Sequence, residues 1–149
     1  MDFPFGRPQA IANIHGADPA AGPIGTVAFY CRPTGTLVAA NICRLPQSGP
    51  EIFGFHIHEG CSCGGTGFSE TGGHYSKGNC GHPRHAGDLP PLFGCGGHAR
   101  MAMLTGRFRV ADVIGRTVVI HSQPDDFTSQ PAGNAGEKIA CGVIHPLRR

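Results

Sequence analysis

Several common sequence signals are missing from this chain of 149 residues. No apolar run approaches the ~20 residues of a membrane-spanning helix, so we expect no membrane partner. Lysine and arginine are scattered singly and the formal net charge is only +2, whereas a nucleic-acid-binding domain would carry a basic stripe. The first ten residues, MDFPFGRPQA, show no charged segment followed by an apolar one, so no signal peptide is predicted. We therefore expect a cytoplasmic protein as written, or a periplasmic or extracellular one if a leader has been removed.

Helical periodicity is also nearly absent, and only residues 110–115 (VADVIG) predict a helical turn. The 24 glycines and 13 prolines alternate with short apolar runs, which is typical of turns and strands in an all-β protein. We predict one domain over residues 1–149, a β-sandwich or barrel of about eight antiparallel strands, with a tight hairpin at PTG (33–35). The predicted strands are 9–14, 25–32, 36–45, 51–60, 99–110, 116–122 and 138–144.

A long segment from Glu59 to about His98 carries no strand or helix signal. A loop of roughly 40 residues in a compact domain is normally functional or disordered. This one is poor in charge and concentrates metal-ligand residue types, so we expect bound metal to order it. A second irregular segment, residues 123–136, follows strand 116–122 and completes a pair of long loops.

Four histidines suggest one metal site. His56 and His58 stand two apart in a predicted strand, so their imidazoles project from the same face. His121 lies near the end of another apolar strand, and His74 lies in the long loop. Imidazole ligands suit copper, zinc, iron and nickel, and a near-planar set of nitrogens favours Cu(II). Taken singly, these residues also fit ordinary surface or strand-end histidines.

The long loop suggests a second site. His74, His82, His85 and Asp88 are spaced by 8, 3 and 3 residues. Three imidazoles and one carboxylate form a closed four-coordinate set of the kind that holds structural zinc. The alternatives are a solvated polar loop, or a thiolate site that uses the CxC at Cys61 and Cys63 together with other loop cysteines.

The sequence resembles the copper/zinc superoxide dismutases in four motifs that follow the family's order. They are GFHIHEG (54–60), GGHYSKGNCGHPRHAGDLPPL (72–92), IGRTVVIHSQPDD (114–126) and GNAGEKIACGVI (133–144). The resemblance implies a Greek-key fold and conversion of superoxide to oxygen and hydrogen peroxide by copper that cycles between Cu(II) and Cu(I). It implies that copper is held by His56, His58, His74 and His121, and zinc by His74, His82, His85 and Asp88.

The resemblance also gives roles to single residues. His74 would bridge both metals and handle a proton, and Asp125 would hydrogen-bond one copper histidine and one zinc histidine. Lys138 stands where the family normally has an arginine that attracts and aligns superoxide. Lysine keeps the charge but lacks the planar fork, so we expect attraction to survive and alignment to loosen. Lys77, Arg84 and Arg100 are further candidate cations near the site.

Seven cysteines are many for this length, and the odd number leaves at least one outside any intrachain disulfide. The resemblance implies a disulfide between Cys63 and Cys141. Cys31 and Cys43 lie on predicted strands and are expected to be buried. The states of Cys61, Cys80 and Cys95 stay open, between pairing, reduced thiols and metal binding.

Two further points follow from the resemblance. The alternative to an enzyme is a copper-binding or copper-chaperone domain of the same fold that does not turn over substrate. Superoxide would be the small-molecule substrate, and a homodimer and a monomer are both compatible with the family.

Overall fold

The strands form one antiparallel sheet that curls into a nearly closed barrel. The computed structural model describes residues 3–148, and within them the sheet has nine strands in the order β4-β6-β7-β3-β2-β1-β9-β8-β5. The two strands at its ends, β4 and β5, are consecutive in the chain, so a single residue, Gly54, connects the two edges. The elements are β1 Ala10–Gly16, β2 Ile24–Arg32, β3 Gly35–Cys43, β4 Ile52–Phe53, β5 Phe55–His58, a 3₁₀ segment Thr66–Thr71, β6 Leu92–Cys95, β7 His98–Thr105, helix α1 Val110–Val113, β8 Thr117–His121 and β9 Lys138–Pro146.

Alternation of side chains along the strands explains which residues fill the inside of the barrel. In β3, Val38, Ala40 and Ile42 face inward and are buried, while Asn41 faces out. The inward side chains of all strands meet in one core, because successive residues of a strand point to opposite faces. The largest core side chains with under 2% exposure are Phe29, Phe55, Phe108, Ile42, Ile57, Leu92, Ile120 and Ile144.

The all-β Greek-key architecture predicted from the sequence is confirmed, as are the β2–β3 hairpin and the helical turn at 110–113. The predicted strand 51–60 is divided at Gly54, whose N–H donates to Gln123 O at 2.9 Å and whose carbonyl accepts from His121 N at 2.8 Å. A Cβ on this residue would lie 2.7 Å from Ala135 Cβ. Gly54 is therefore the point at which the chain crosses from one sheet edge to the other.

The expectation that residues 59–98 contain no regular structure is wrong in two places. The segment Thr66–Thr71 is a 3₁₀ turn, and β6 (Leu92–Cys95) pairs with both β4 and β7. Both elements are short, and the glycines around them hide the periodicity on which the prediction depends. What remains are two long connections, residues 59–91 and 122–137, which contact each other through His82, Asp125 and Gln130.

The cysteines are placed differently from the prediction in two cases. Cys31 is exposed and Cys43 is half-buried. Cys43 faces outward because the inward positions of β3 are the even-numbered ones, and Cys31 lies at the end of β2, beyond the core. Cys63 and Cys141 form a disulfide across a sequence separation of 78. Cys61, Cys80 and Cys95 are free thiols.

The described part of the chain contains no helix that is long and apolar enough to cross a membrane.

Candidate metal centre

Two neighbouring strands present three histidines to one place. His56 and His58 lie on β5, which pairs with β8 so that His56 is opposite Val119 and His58 opposite Thr117. His121 ends β8 and pairs with Lys138 of β9 after an irregularity in the ladder. All three rings are at most 3% exposed. Rigid strands, not loops, therefore fix this part of the site.

The first long connection brings a fourth ring to the same place. His74 makes an isolated antiparallel bridge with His58, and its ring centroid lies 4.0 Å from that of His56 and 4.8 Å from that of His58. His56, His58, His74 and His121 each offer one ring nitrogen, and these nitrogens all lie within 4.8 Å of one another. The structure thus assembles the four histidines that the sequence suggested as a single group.

Hydrogen bonds show which nitrogen of each ring is free. His58 Nδ1 donates to Gly72 O at 2.8 Å, and His121 Nδ1 donates to Gly136 O at 3.3 Å. Both rings then direct an acceptor lone pair from Nε2, and these two Nε2 atoms lie only 3.1 Å apart. Facing lone pairs repel, whereas a cation among them would be bound by both. This donor set therefore fits a metal ion.

The other two rings complete the set of free nitrogens. His56 Nε2 donates to Asp125 Oδ2 at 2.6 Å, which leaves His56 Nδ1 buried without a hydrogen-bond partner. His74 Nε2 is likewise buried and unpartnered. Buried polar atoms of a native protein are nearly always satisfied. The unpaired nitrogens support the same conclusion, a nitrogen-ligated metal ion between these rings.

A second donor group lies on the far side of His74. His74 Nδ1 lies 2.7 Å from Asp88 Oδ1, and His82 Nδ1 and His85 Nδ1 each lie 3.1 Å from Asp88 Oδ2. The Nδ1 atoms of His82 and His85 are buried and have no hydrogen-bond partner. Three nitrogens and a carboxylate around one point fit a tetrahedral ion such as zinc. Although His82 and His85 are only three residues apart, both rings reach the same carboxylate oxygen of Asp88.

The two groups of possible metal ligands share His56 and His74. His56, His74, His82 and Asp88 also offer ligand atoms within 4.8 Å of one another. Because His56 Nε2 is bonded to Asp125, its free Nδ1 is available to the first group, and His85, whose Nδ1 lies 3.1 Å from Asp88 Oδ2, offers a further donor to the second. His74 is then the ring common to both groups, with one nitrogen facing each.

Burial sets the protonation states that metal binding needs. Desolvation lowers the pKa of His58 to about 2 and that of His121 to about 3, and it also lowers the pKa of His56. Burial opposes ionisation of Asp88, but a hydrogen bond from His74 and the nearby histidines outweigh it, so the pKa of Asp88 is lowered. Neutral imidazoles and ionised carboxylates are the ligand forms that bind metal.

Asp125 connects the two groups. Its Oδ2 accepts from His56 Nε2 at 2.6 Å and its Oδ1 from His82 Nε2 at 2.7 Å, and the residue is 7% exposed. Burial disfavours the charged carboxylate, but the hydrogen bonds from His56, His82 and Phe127 N–H prevail and lower its pKa. Such a carboxylate fixes the orientation and tautomer of both rings. This is the geometry that the resemblance implied for Asp125.

Sequence reasoning missed two residues that lie against the hydrogen-bonded pair of His82 and Asp125. A Cβ at Gly133, where φ is 70°, would overlap the Asp125 carboxylate and lie 2.5 Å from His82 Nε2. Gln130 accepts from His82 N at 2.9 Å and donates to His82 O at 2.7 Å. Neither residue type signals a metal site, and no spacing rule pairs position 82 with position 130.

The candidate cations are distributed unevenly. Lys138 is half-buried beside the first histidine group, where its Nζ donates to Thr71 Oγ1 at 2.7 Å and to Gly72 O at 3.1 Å. Lys77 is paired with Asp112 of α1 at 2.6 Å, and Arg100 is opposite Asn41 across the β3–β7 ladder. Arg84 is exposed. Lys138 is thus the cation that the fold holds against the histidines.

A nearly closed antiparallel barrel that holds a group of four histidines beside a group with a carboxylate is typical of two-metal β-barrel proteins. Comparisons with known proteins identify the family. The family model for copper/zinc superoxide dismutase (SODC) matches residues 24–144. The chain therefore belongs to the copper/zinc superoxide dismutase family.

Individual relatives agree with this assignment. A superoxide dismutase [Cu-Zn] from Legionella pneumophila is 35% identical over 141 residues, which cover 89% of this chain and 85% of the relative. One from Deinococcus radiodurans is 34% identical, with 96% and 87% covered. Among solved structures, the Cu/Zn superoxide dismutase of Brucella abortus has a TM-score of 0.75 at 30% identity and covers 90% of this chain and 98% of its own. A double mutant of a SOD-like protein from Bacillus subtilis has a TM-score of 0.78 at 27% identity.

Proposed function

We propose that this protein is a superoxide dismutase that converts two superoxide anions and two protons to oxygen and hydrogen peroxide. The observation that carries the proposal is the convergence of four buried ring nitrogens on one point, with a second donor group beyond His74. A purely structural zinc site would have no use for the paired strand histidines His56 and His58.

Copper would be held by His56 Nδ1 and by the Nε2 atoms of His58, His74 and His121. Zinc would be held by the Nδ1 atoms of His74, His82 and His85 and by Asp88. Free nitrogens, burial and ionised carboxylates support this division. Bound copper supplies the one-electron redox couple for dismutation, and zinc, which has no redox chemistry, holds the loop and the shared ring.

The side chains have separate tasks in the reaction. Lys138 attracts the superoxide anion and presents an N–H to it beside the histidines. His74 can hold and release a proton at Nε2, because its Nδ1 faces Asp88. Asp125 keeps His56 and His82 in the tautomers that leave Nδ1 free, and these two Nδ1 atoms would bind the metal ions. The two long connections cover the outer face of β5 and β8, which leaves these rings almost without solvent exposure.

Metal content and activity measured on the same sample test the proposal. Protein loaded with copper and zinc is expected to contain about one of each ion per chain by mass spectrometry, and to dismute superoxide in a cyanide-sensitive manner. Full copper occupancy without activity would favour a copper-binding or copper-chaperone domain instead. His121→Ala is expected to abolish activity while zinc stays bound. Unchanged activity of this variant would contradict the copper ligand set.

A homodimer is proposed only from the resemblance to the family. Sedimentation velocity across a range of protein concentrations measures the association directly.

A further inference from the structure

The hydroxyl of Thr71 accepts a hydrogen bond from the ammonium of Lys138. Thr71 is fully buried at 0% exposure, and its hydroxyl donates to Phe68 O at 2.8 Å. The same oxygen accepts from Lys138 Nζ at 2.7 Å. Thr71 ends the 3₁₀ segment Thr66–Thr71, so this short element, which the sequence did not predict, carries the contact to β9.

A second acceptor fixes the ammonium group from another direction. Lys138 Nζ also donates to Gly72 O at 3.1 Å, and this carbonyl accepts from His58 Nδ1 at 2.8 Å. An ammonium has three N–H donors. Two are used here, which leaves one for a ligand. Gly72 O therefore links the Lys138 ammonium to His58, a proposed copper ligand, through two hydrogen bonds.

The hydrogen bonds from Lys138 to Thr71 and Gly72 compensate for the flexibility of the lysine side chain. A guanidinium presents several donors in a rigid plane, whereas an ammonium rotates on a flexible four-carbon stem. Two acceptors on the adjoining loop restrict Nζ to one position. The alignment that we expected lysine to lose is therefore supplied by its neighbours.

We propose that Thr71 is a positioning residue, whose hydroxyl holds the Lys138 ammonium beside the copper histidines so that its third N–H faces the incoming anion. The inference rests on the proposed function for its consequence in catalysis. Thr71 itself touches neither the anion nor the metal. A merely structural role, satisfaction of Phe68 O, would affect stability alone.

Matched threonine variants separate these two roles. Thr71→Val removes the hydroxyl and keeps the shape, and Thr71→Ser restores the hydroxyl. Thr36→Val is the control, because Thr36 is also 0% exposed and its hydroxyl also donates to a backbone carbonyl, Phe108 O, at 2.9 Å. The control loses the same kind of hydrogen bond without any contact to Lys138.

Azide is the anion probe for the Cu(II) protein, and its binding is followed by the change in optical absorption. Thr71→Val is expected to weaken azide binding about three- to tenfold, because an ammonium that is free to move loses part of its hydrogen bond to the anion. Thr71→Ser and Thr36→Val are expected to bind azide as the wild type does. In a Lys138→Gln background, Thr71→Val is expected to have no further effect on azide affinity.

A second measurement needs no copper. In the zinc-loaded protein, the ¹H–¹⁵N spectrum of lysine side chains is expected to show a slowly exchanging Lys138 ammonium. This signal should be lost in Thr71→Val and retained in Thr36→Val. Wild-type protein without the slowly exchanging signal would contradict the contact itself.

Different results would contradict the proposed function and the role of Thr71. Wild-type protein that binds no copper or no azide would count against the proposed function, while the zinc-form spectrum would still decide the Thr71 contact. Wild-type azide affinity in Thr71→Val, with stability lowered as in Thr36→Val, would reduce Thr71 to a structural residue and overturn the inference.

Discussion

At the scale of single residues, hydrogen-bond partners determine which nitrogen of each histidine is free. His58 and His121 are both fixed through Nδ1 by backbone carbonyls, so both direct Nε2 to the site. His56 and His82 are fixed through Nε2 by Asp125, so both direct Nδ1. The sequence can locate the histidines, but their tautomers depend on carbonyls and carboxylates that only the fold brings near.

The buried histidines predict how the stability of the metal-free protein depends on pH. Burial lowers the folded-state pKa of His58 to about 2 and of His121 to about 3, from an ordinary value of 6.5. Below about pH 6.5 the unfolded chain therefore binds protons that the folded chain does not. The stability is present above this pH and decreases as the pH falls toward the folded pKa values.

The expected change is large enough to measure. Each of these two histidines should lower the free energy of unfolding by about 1.4 kcal/mol per pH unit between about pH 6 and about pH 4. Urea unfolding of the metal-free protein across this range checks the slope. His121→Gln should remove about half of the contribution from the pair. A stability that stays constant from pH 6 to pH 4 would contradict the neutral, desolvated state of these rings.

At the scale of elements, the sequence predicted the parts of the site that follow a local rule. Strand periodicity located β5 and β8, and the spacing of two placed His56 and His58 on one face, as the structure has them. The division of the strand at Gly54 follows from the approach of Ala135, which is distant in sequence. Contacts between the two long connections follow no sequence periodicity. The roles of Gln130 and Gly133 could therefore not be predicted from the sequence.

Gln130 offers a test of the contact between these connections. Its amide makes two hydrogen bonds to the backbone of His82, at 2.9 Å and 2.7 Å. Gln130→Ala should free this part of the connection 59–91 and lower zinc affinity by about tenfold, the lower end of the effects seen for groups that support metal ligands. Copper affinity should change much less, because three of the four proposed copper ligands lie on strands.

Competition with a zinc chelator measures this effect. Gln123→Ala is the matched control, since Gln123 is an exposed glutamine of the same connection whose side chain makes no hydrogen bond within residues 3–148. The control should keep wild-type zinc affinity. Equal zinc affinity in Gln130→Ala and wild type would show that the connection 122–137 does not hold the connection 59–91 in place for zinc.

At the scale of the whole molecule, the barrel and the loops supply different halves of the centre. Strands carry His56, His58 and His121, while the connection 59–91 carries every donor of the second group. The Cys63–Cys141 disulfide ties this connection to β9 across a separation of 78 residues. A closed loop of this length stabilises the folded state by about 4 kcal/mol in the chain-entropy model. The connection 59–91 is thus anchored to the barrel by covalent and hydrogen bonds.

The charge distribution of the molecule predicts how the reaction responds to salt. The net charge is only +2, so the molecule as a whole attracts superoxide weakly. Lys138 lies beside the histidines, whereas the Lys77 ammonium is paired with Asp112. The attraction is therefore local, and salt screens it because the Debye length falls to about 10 Å at 0.1 M.

We expect kcat/KM for superoxide to fall by roughly two- to fivefold as ionic strength rises from about 0.01 M to about 0.15 M. Pulse radiolysis measures the rate directly. Lys138→Gln should lower the rate at low salt and flatten the salt dependence, because the local cation is gone. Lys77→Gln removes the same charge from the Asp112 pair and should keep a salt dependence close to that of the wild type. A salt dependence that survives in Lys138→Gln but disappears in Lys77→Gln would place the steering charge outside the centre.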